Sequence, residues 1–211
     1  MLIDYNYFLS NPHCFPKKGV IHIGAHECEE KDFYNKSGIT DQNIIWIEAN
    51  PDLIKPGMIQ AVIDDTDNRD VDFMVTNNMQ SSSILNLKDH LIMHPHVWET
   101  GRKKLTTTTL DTLFDTLKIR YDKYDFINLD IQGAELRALQ GATKILPYIN
   151  TVYTEVNTRE IYEGCALLYE IDDFLQKHGF EQVVVKMCEN FGWGDGIWTR
   201  TLKTTKDLSK V

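Results

Sequence analysis

The apolar residues of this chain come in short runs, each closed by a polar turn. Residues 20–23 and 124–130 read as buried strands, with 44–48, 59–63, 71–76 and 151–156 as further extended runs. Helical patterns lie between them. One begins after Gly24, takes Phe33 and Tyr34 as its first apolar residues and ends near Gly38. A short one starts at Asn50-Pro51, and another runs from an Asp111 cap to 117. Residues 134–146 place Leu136, Leu139 and Ile145 at helical spacing, and 166–178 form an amphipathic helix stopped by Gly179. Residues 105–110 are β-prone, and 182–187 with 196–200 suit a closing antiparallel pair. Tyr5, Tyr7, Phe8 and Phe15 cluster around Pro12 and Pro16, so residues 1–18 read as a strap or lid. Residues 84–104 are mixed and rich in histidine, and the polar stretch 204–211 is expected to fray. Strands alternating with helices predict one α/β domain over residues 1–211. Its sheet is open, Rossmann-like and mostly parallel, with an antiparallel C-terminal edge strand.

Composition narrows the partners. The 211 residues are 42% hydrophobic and 25% charged, which suits a single core. With 22 basic and 31 acidic residues the net charge is -9, which argues against a nucleic-acid backbone or an anionic membrane as partner. Cys14, Cys28, Cys165 and Cys188 show no paired metal spacing. Without a long apolar run or secretory pattern, they read as reduced thiols of a cytoplasmic protein.

The candidate chemistry collects where apolar runs end, which is where open α/β sheets bind ligands. The polar hand-offs are Gly24 and His26, then Glu48, then Asp64 and Asp65, then Asp130 and Gln132, then Glu155 and Asn157. One acid after a strand is ordinarily a helix cap; five such positions in step point to a site. Glycine at 24 lets backbone approach a ligand, and Glu48, 24 residues later, suits the two hydroxyls of a ribose. Gly24 has no glycine two or five residues on, so the cradle for a pyrophosphate is missing. A nucleoside carrying a sulfonium and an amino acid fits better than a dinucleotide. The competing readings are an oxidoreductase binding a nicotinamide cofactor and a non-catalytic relative serving as a binding module.

Several stretches together carry a family resemblance: residues 20–26 (VIHIGAH), 46–51 (WIEANP), 81–84 (SSSI), 109–113 (TLDTL), 128–135 (NLDIQGAE), 155–157 (EVN) and Gly194-Asp195. In this order the chain resembles the FkbM methyltransferases. Its most specific piece, residues 129–135, is similar to that family's Asp-x-(Glu/Gln)-Gly-x-Glu signature. The resemblance implies the class I methyltransferase fold, S-adenosylmethionine as cofactor and O-methylation of a sugar hydroxyl on a glycan or nucleotide sugar. Two positions depart from the family pattern, His22 where aspartate is usual and Cys28 where glycine is usual.

Roles follow for individual residues. Gly24, Ala25, His26, Glu48, Ala49, Asp64, Ser82, Asp130 and Gln132 are the expected cofactor contacts, with Asp64 or Asp65 accepting from the adenine amino group. Asp130 is expected at the transferred methyl, orienting the cofactor, acting as base or sharing a divalent cation with Glu155. Ser81, Asn157 and Tyr162 are expected to meet the acceptor, with Tyr162, Trp193 and Trp198 offering faces to a sugar; core packing is the plainer reading of those rings. His90, His94 and His96 have the spacing of a metal cluster, but Pro95 interrupts the helix and no acidic ligand follows. No metal site is assigned there. His94 or His96 as a base is the sharper reading, and surface histidines the plainer one.

Overall fold

The computed structural model describes residues 1–201, so the tail 204–211 lies outside the described residues. Helix α1 (Tyr5–Ser10) opens the chain, and the Asp4 carboxylate caps it by accepting from the Tyr7 amide. A 3-10 turn at Pro12–Cys14 follows, so the strap over 1–18 carries regular structure. Strand β1 (Val20–Ile23), helix α2 (Lys31–Lys36) and strand β2 (Ile44–Glu48) come next. The run 59–63 is two short strands, β3 (Ile59–Gln60) and β4 (Val62–Ile63). The break falls at Ala61, whose amide turns to donate to the Glu48 carbonyl at 3.1 Å.

Strand β5 (Asp70–Thr76), helix α3 (His90–Met93) and strand β6 (Glu99–Thr108) follow, which resolves the mixed stretch 84–104 into a helical turn and half of a long strand. Helix α4 (Leu110–Leu117) is capped by Thr109 rather than Asp111. Asp111 instead accepts from the amides of Lys144 at 2.8 Å and Ile145 at 3.2 Å. Strand β7 (Phe126–Leu129) leads to helix α5 (Glu135–Gln140), which ends at Gly141. A side chain at 141 would collide with the backbone of Asp64. Strand β8 (Thr151–Asn157), helix α6 (Leu168–Lys177), strand β9 (Phe180–Met187) and strand β10 (Trp193–Arg200) complete the fold.

The main sheet has seven strands in the order β3-β2-β1-β7-β8-β10-β9. Its first five run parallel, and β10 lies antiparallel between β8 and β9. The closing pair at 182–187 and 196–200 is thus present. A second sheet, β4-β6-β5, stands beside the main one. Alternate residues of the central strands serve two cores, as runs buried on both faces require. Ile21, Ile127 and Val152 pack under α4, α5 and α6, meeting Phe114, Leu139 and Leu175. Val20, Phe126 and Tyr153 face Phe8 of α1 and Tyr34 of α2. Each such side chain stabilises the fold by about 1.5–3 kcal/mol. Trp198 belongs to the first core, and its indole N–H donates to Asp172 at 2.8 Å, so it offers no sugar face.

The strand order reverses at β1, since β2 and β3 lie to one side and β7 and β8 to the other. Such a switch point leaves a crevice at the carboxyl ends of the flanking strands. Among the described residues, no helix is long and apolar enough to cross a membrane, and all four cysteines are free thiols.

Candidate active site

A cleft of about 510 Å³ occupies that crevice. Ile23, Gly24, Glu48, Asp130 and Glu155 line its floor, residues 78–84 and His90, His94 and His96 one side, and Tyr162 and Trp193 the far wall. His26, Ala49, Ser81, Ser82 and Gln132 also line it.

The turn after β1 shapes the first end. Gly24 sits at φ +87°, and a Cβ there would run into the Asp130 carbonyl. The Asp130 amide donates to the Ile23 carbonyl at 3.0 Å, so two strand ends cross with no room for a side chain. The glycine thus answers a crossing of backbones as well as facing the cleft. Ala25 does not take the cofactor-facing place expected of it. It is 1% exposed, packs in the core, and its amide is spent on the Ile47 carbonyl at 3.0 Å. His26 and Cys28 both hold left-handed backbone, at φ 41° and 63°. That region favours glycine, which gives a physical reason for the glycine usual at position 28.

Glu48, at the tip of β2, is held by two amides. His26 N–H donates to Oε2 at 2.9 Å and Asn50 N–H to Oε1 at 2.7 Å. Each carboxylate oxygen keeps accepting capacity for a further donor from the cleft.

The opposite end is acidic and joined by one amide. Gln132, at φ 57°, directs its Nε2 to Asp130 Oδ1 at 2.5 Å and to Glu155 Oε2 at 3.0 Å. Asp130 is exposed to the cleft but crowded by protein on its other sides. Desolvation, then the charge of Asp195, pushes its carboxyl up to about 6. Burial, with Asp130 beside it, raises Glu155 well above the carboxylate range. Asp195 also lines the cleft, taking hydrogen bonds from the Tyr153 hydroxyl and the Leu2 amide, and burial raises it too. His22 contacts the Tyr34 hydroxyl at 2.9 Å through Nδ1, and burial lowers its pKa, so it lines the cleft as a neutral ring. Among the described residues, no group of three or more His, Cys, Asp or Glu side chains could hold a metal ion. The cation expected between Asp130 and Glu155 therefore has no third protein ligand.

Three expectations are corrected here. Asp64 does not reach the cleft: it is fully buried and closed by two arginines. Arg137 Nη2 donates to Oδ2 at 3.1 Å, its Nε lies 2.8 Å from Oδ1, and Arg69 pairs from the other side. The apolar strip Ala61, Val62 and Ile63 lines the cleft where the acid was expected. Asn157 is fully buried, is not part of the cleft wall, and its side-chain amide meets no protein partner. Tyr162 reaches the wall with its edge but is 0% exposed, so its ring has no free face for a sugar.

On the side of the cleft lined by residues 78–84, the Ser81 and Ser82 hydroxyls accept from Asn78 Nδ2 at 3.0 Å and the Thr76 amide at 3.1 Å. The three histidines form a row that starts at the first residue of α3 and runs on past its end, His94 lying beside both His90 and His96. His94 stacks on Phe191 with ring centres 4.8 Å apart, and His90 lies 4.8 Å from it on the other side. His90 is buried, and desolvation lowers its pKa to about 4; His94, half-buried, is lowered for the same reason. Sequence reasoning missed Asp195 and Glu30 as cleft residues. Asp195 had a signal, an acid flanked by two glycines just before the apolar pair Ile197-Trp198; Glu30 had none.

Strand tips converging on one crevice with an acid at β2 and an acidic end beside β7 define a class I methyltransferase. Residues 21–181 match the methyltransferase FkbM domain, and the chain belongs to that family of S-adenosylmethionine-dependent enzymes. A 95-residue segment is 33% identical to the 2-O-methyltransferase NoeI of Sinorhizobium fredii (strain NBRC 101917 / NGR234), covering 45% of this chain. That segment spans only 38% of the relative's length. Magnesium protoporphyrin IX methyltransferase (ChlM) from Synechocystis PCC 6803, solved with bound SAM, superposes over 93% of this chain and 76% of its own. Its TM-score is 0.48 and its sequence identity 9%.

The cleft's donor set fits S-adenosylmethionine. Glu48 offers acceptors for a diol, Ala61 to Ile63 an apolar strip for a purine, and Asp130 negative charge for a sulfonium.

Proposed function

We propose that this enzyme O-methylates a neutral sugar hydroxyl, in a glycan end rather than a nucleotide sugar. The observation that carries this is the lining of the acceptor half: serine hydroxyls, imidazoles and Trp193 and, among the described residues, no lysine or arginine. The basic side chains that could have met a phosphate are paired elsewhere: Arg102 with Glu99 at 2.8 Å, Lys103 with Asp52 at 2.8 Å, Lys104 with Asp72 at 2.6 Å and Arg159 with Asp89 at 2.7 Å. The 2-O-methyltransferase activity in the name of the relative from Sinorhizobium fredii supports transfer to oxygen. Four free thiols suit a cytoplasmic setting.

In this reading Gly24, His26, Glu48, Ala49 and the strip 61–63 hold the nucleoside, and Ser82, Asp130 and Gln132 the methionine end. S-adenosylmethionine supplies the electrophilic methyl group. The protein aligns the acceptor oxygen with it, and alignment contributes most of the rate. Ser81 and Trp193 position the sugar. Asp130 takes the hydroxyl proton as the oxygen is methylated, since a carboxylate cannot remove it fully beforehand. Glu155, kept protonated, accepts from the Gln132 amide and leaves Asp130 as the charged group of that end. His94, neutral at physiological pH, is the second candidate acceptor of the proton.

The test is a screen for a 14-dalton gain over methyl glycosides, oligosaccharides, sugar phosphates, nucleotide sugars, catechols and peptides, the mass being that of CH2. Methylated neutral glycosides and oligosaccharides are expected. Transfer only to peptides or catechols overturns the carbohydrate reading, and preference for the phosphorylated sugars overturns the neutral acceptor.

A further inference from the structure

Tyr162 lies under the acceptor wall, where its ring can stack on nothing in the cleft, yet its hydroxyl points at the acidic end. That hydroxyl donates to Gln132 Oε1 at 2.6 Å, with the Ser81 carbonyl 3.3 Å away as a second acceptor. Gln132 is pinned at its backbone as well, because Ser83 Oγ donates to its carbonyl at 2.8 Å. An amide has two ends of opposite character. With Oε1 taken by the tyrosine, Nε2 is left facing Asp130 and Glu155, and its two hydrogens serve the two carboxyl groups. Turned over, the amide would set its oxygen against both.

We infer that Tyr162 is a positioning residue: through the Gln132 amide it holds Asp130 and Glu155 in the arrangement that methyl transfer needs. This rests on the reading of Asp130 as the reacting carboxylate, not on the acceptor being a sugar. Without the tyrosine hydroxyl, the half-buried Oε1 loses its protein donor, and nothing else fixes which end of the amide faces the two carboxyl groups.

The consequence is a change in proton affinity at the reaction centre. Around the two carboxyl groups stand Asp195 on β10, Glu30 before α2, Glu135 on α5, Tyr153 on β8, His22 on β1 and the Met1 amino group. Burial and the acidic neighbours favour the protonated forms, whereas the bonds donated by Gln132 favour the ionised ones. Losing those bonds moves the pKa of the pair upward, so the acid limb of the rate profile moves to higher pH.

Tyr162→Phe should bind S-adenosylhomocysteine within about threefold of wild type by calorimetry. It should lose at least about tenfold in kcat with little change in the acceptor KM, and shift the acid limb of kcat/KM up by roughly one pH unit. Any acceptor that the wild type methylates serves, so a failed sugar screen leaves this test intact. Gln132→Leu should shift the limb in the same direction, and the double variant should fall no further than the worse single one. A Tyr162→Phe enzyme with wild-type kcat and pH profile overturns the inference. So does one that raises only the acceptor KM or lowers only the melting temperature. Should Tyr162→Phe fail to fold, an unshifted limb in Gln132→Leu overturns it.

Discussion

Glu48 shows how a side chain is committed to a task by backbone around it. The His26 and Asn50 amides fix both carboxylate oxygens, and His26 can donate because its backbone bends into the left-handed region. Under the proposed role, Glu48→Ala removes charge-assisted bonds to a ribose, about 1.5–3 kcal/mol, or roughly 10- to 150-fold in affinity. Calorimetry with S-adenosylhomocysteine checks this, and unchanged affinity in a folded variant rejects the placement. This residue was legible in the sequence because an acid closing the second apolar run has one place to stand in such a sheet. Gly24 was legible in identity but not in cause. The sequence shows a glycine after a strand; it does not show that β7 ends against it, 106 residues later, by the register that pairs Ile23 with Leu129.

At the scale of elements, Asp64 binds β4 to α5. Arg69 and Arg137 come to it from 5 and 73 residues away, and no local pattern announces a partner that distant. That is why a strand-end acid looked like a ligand contact when it is a clasp. Asp64→Asn should lower stability by about 2–3 kcal/mol, below the 3–5 of a fully enclosed pair because both guanidinium groups reach solvent. Denaturant melts measure the loss, and the folded variant should retain its affinity for S-adenosylhomocysteine. A weakened ligand in a protein of unchanged stability would return Asp64 to the binding site. Strands β1, β2, β7 and β8 of the main sheet were legible because they are buried on both faces, so their apolar runs are nearly continuous. The shorter elements were not. The α1 helix depends on one capping acid, the break at Ala61 on a carbonyl of another strand, and α4 on a threonine one residue before the run's last leucine.

For the whole molecule, the buried acids tie stability to pH. Glu135 accepts from the Ile131 and Gly133 amides through Oε1, Oε2 has no partner, and burial pushes its carboxyl up to about 7. The folded state therefore holds this proton up to about pH 7, while the unfolded chain releases it near 4.5. Between those values the folded state binds more protons, so this contribution falls as pH rises. Glu135→Gln removes the titration, and the melting temperature of the variant relative to wild type should climb between about pH 5 and 8. A constant difference across that range would show that Glu135 is ionised in the folded protein throughout. The arrangement of this acidic end was only partly legible. Asp130 and Glu155 mark strand tips, but Asp195 enters from a strand that runs the other way, and its neighbours are set by sheet order alone.

The smaller sheet has one further consequence. Its strands β5 and β6 lie side by side antiparallel, with Asp70 opposite Thr106 at one end and Thr76 opposite Glu99 at the other. Residues 77–98, including the serine loop and the histidine row, therefore leave and re-enter the sheet at adjacent points. Such a segment can lengthen, shorten or be traded between relatives at small entropic cost, because its ends are already closed. The fixed half, from β1 to β3 and β7 to β8, stays untouched by such exchange. Under the proposed role of that segment, one methyl-donating platform can thereby acquire new acceptors through a change confined to a single stretch of chain.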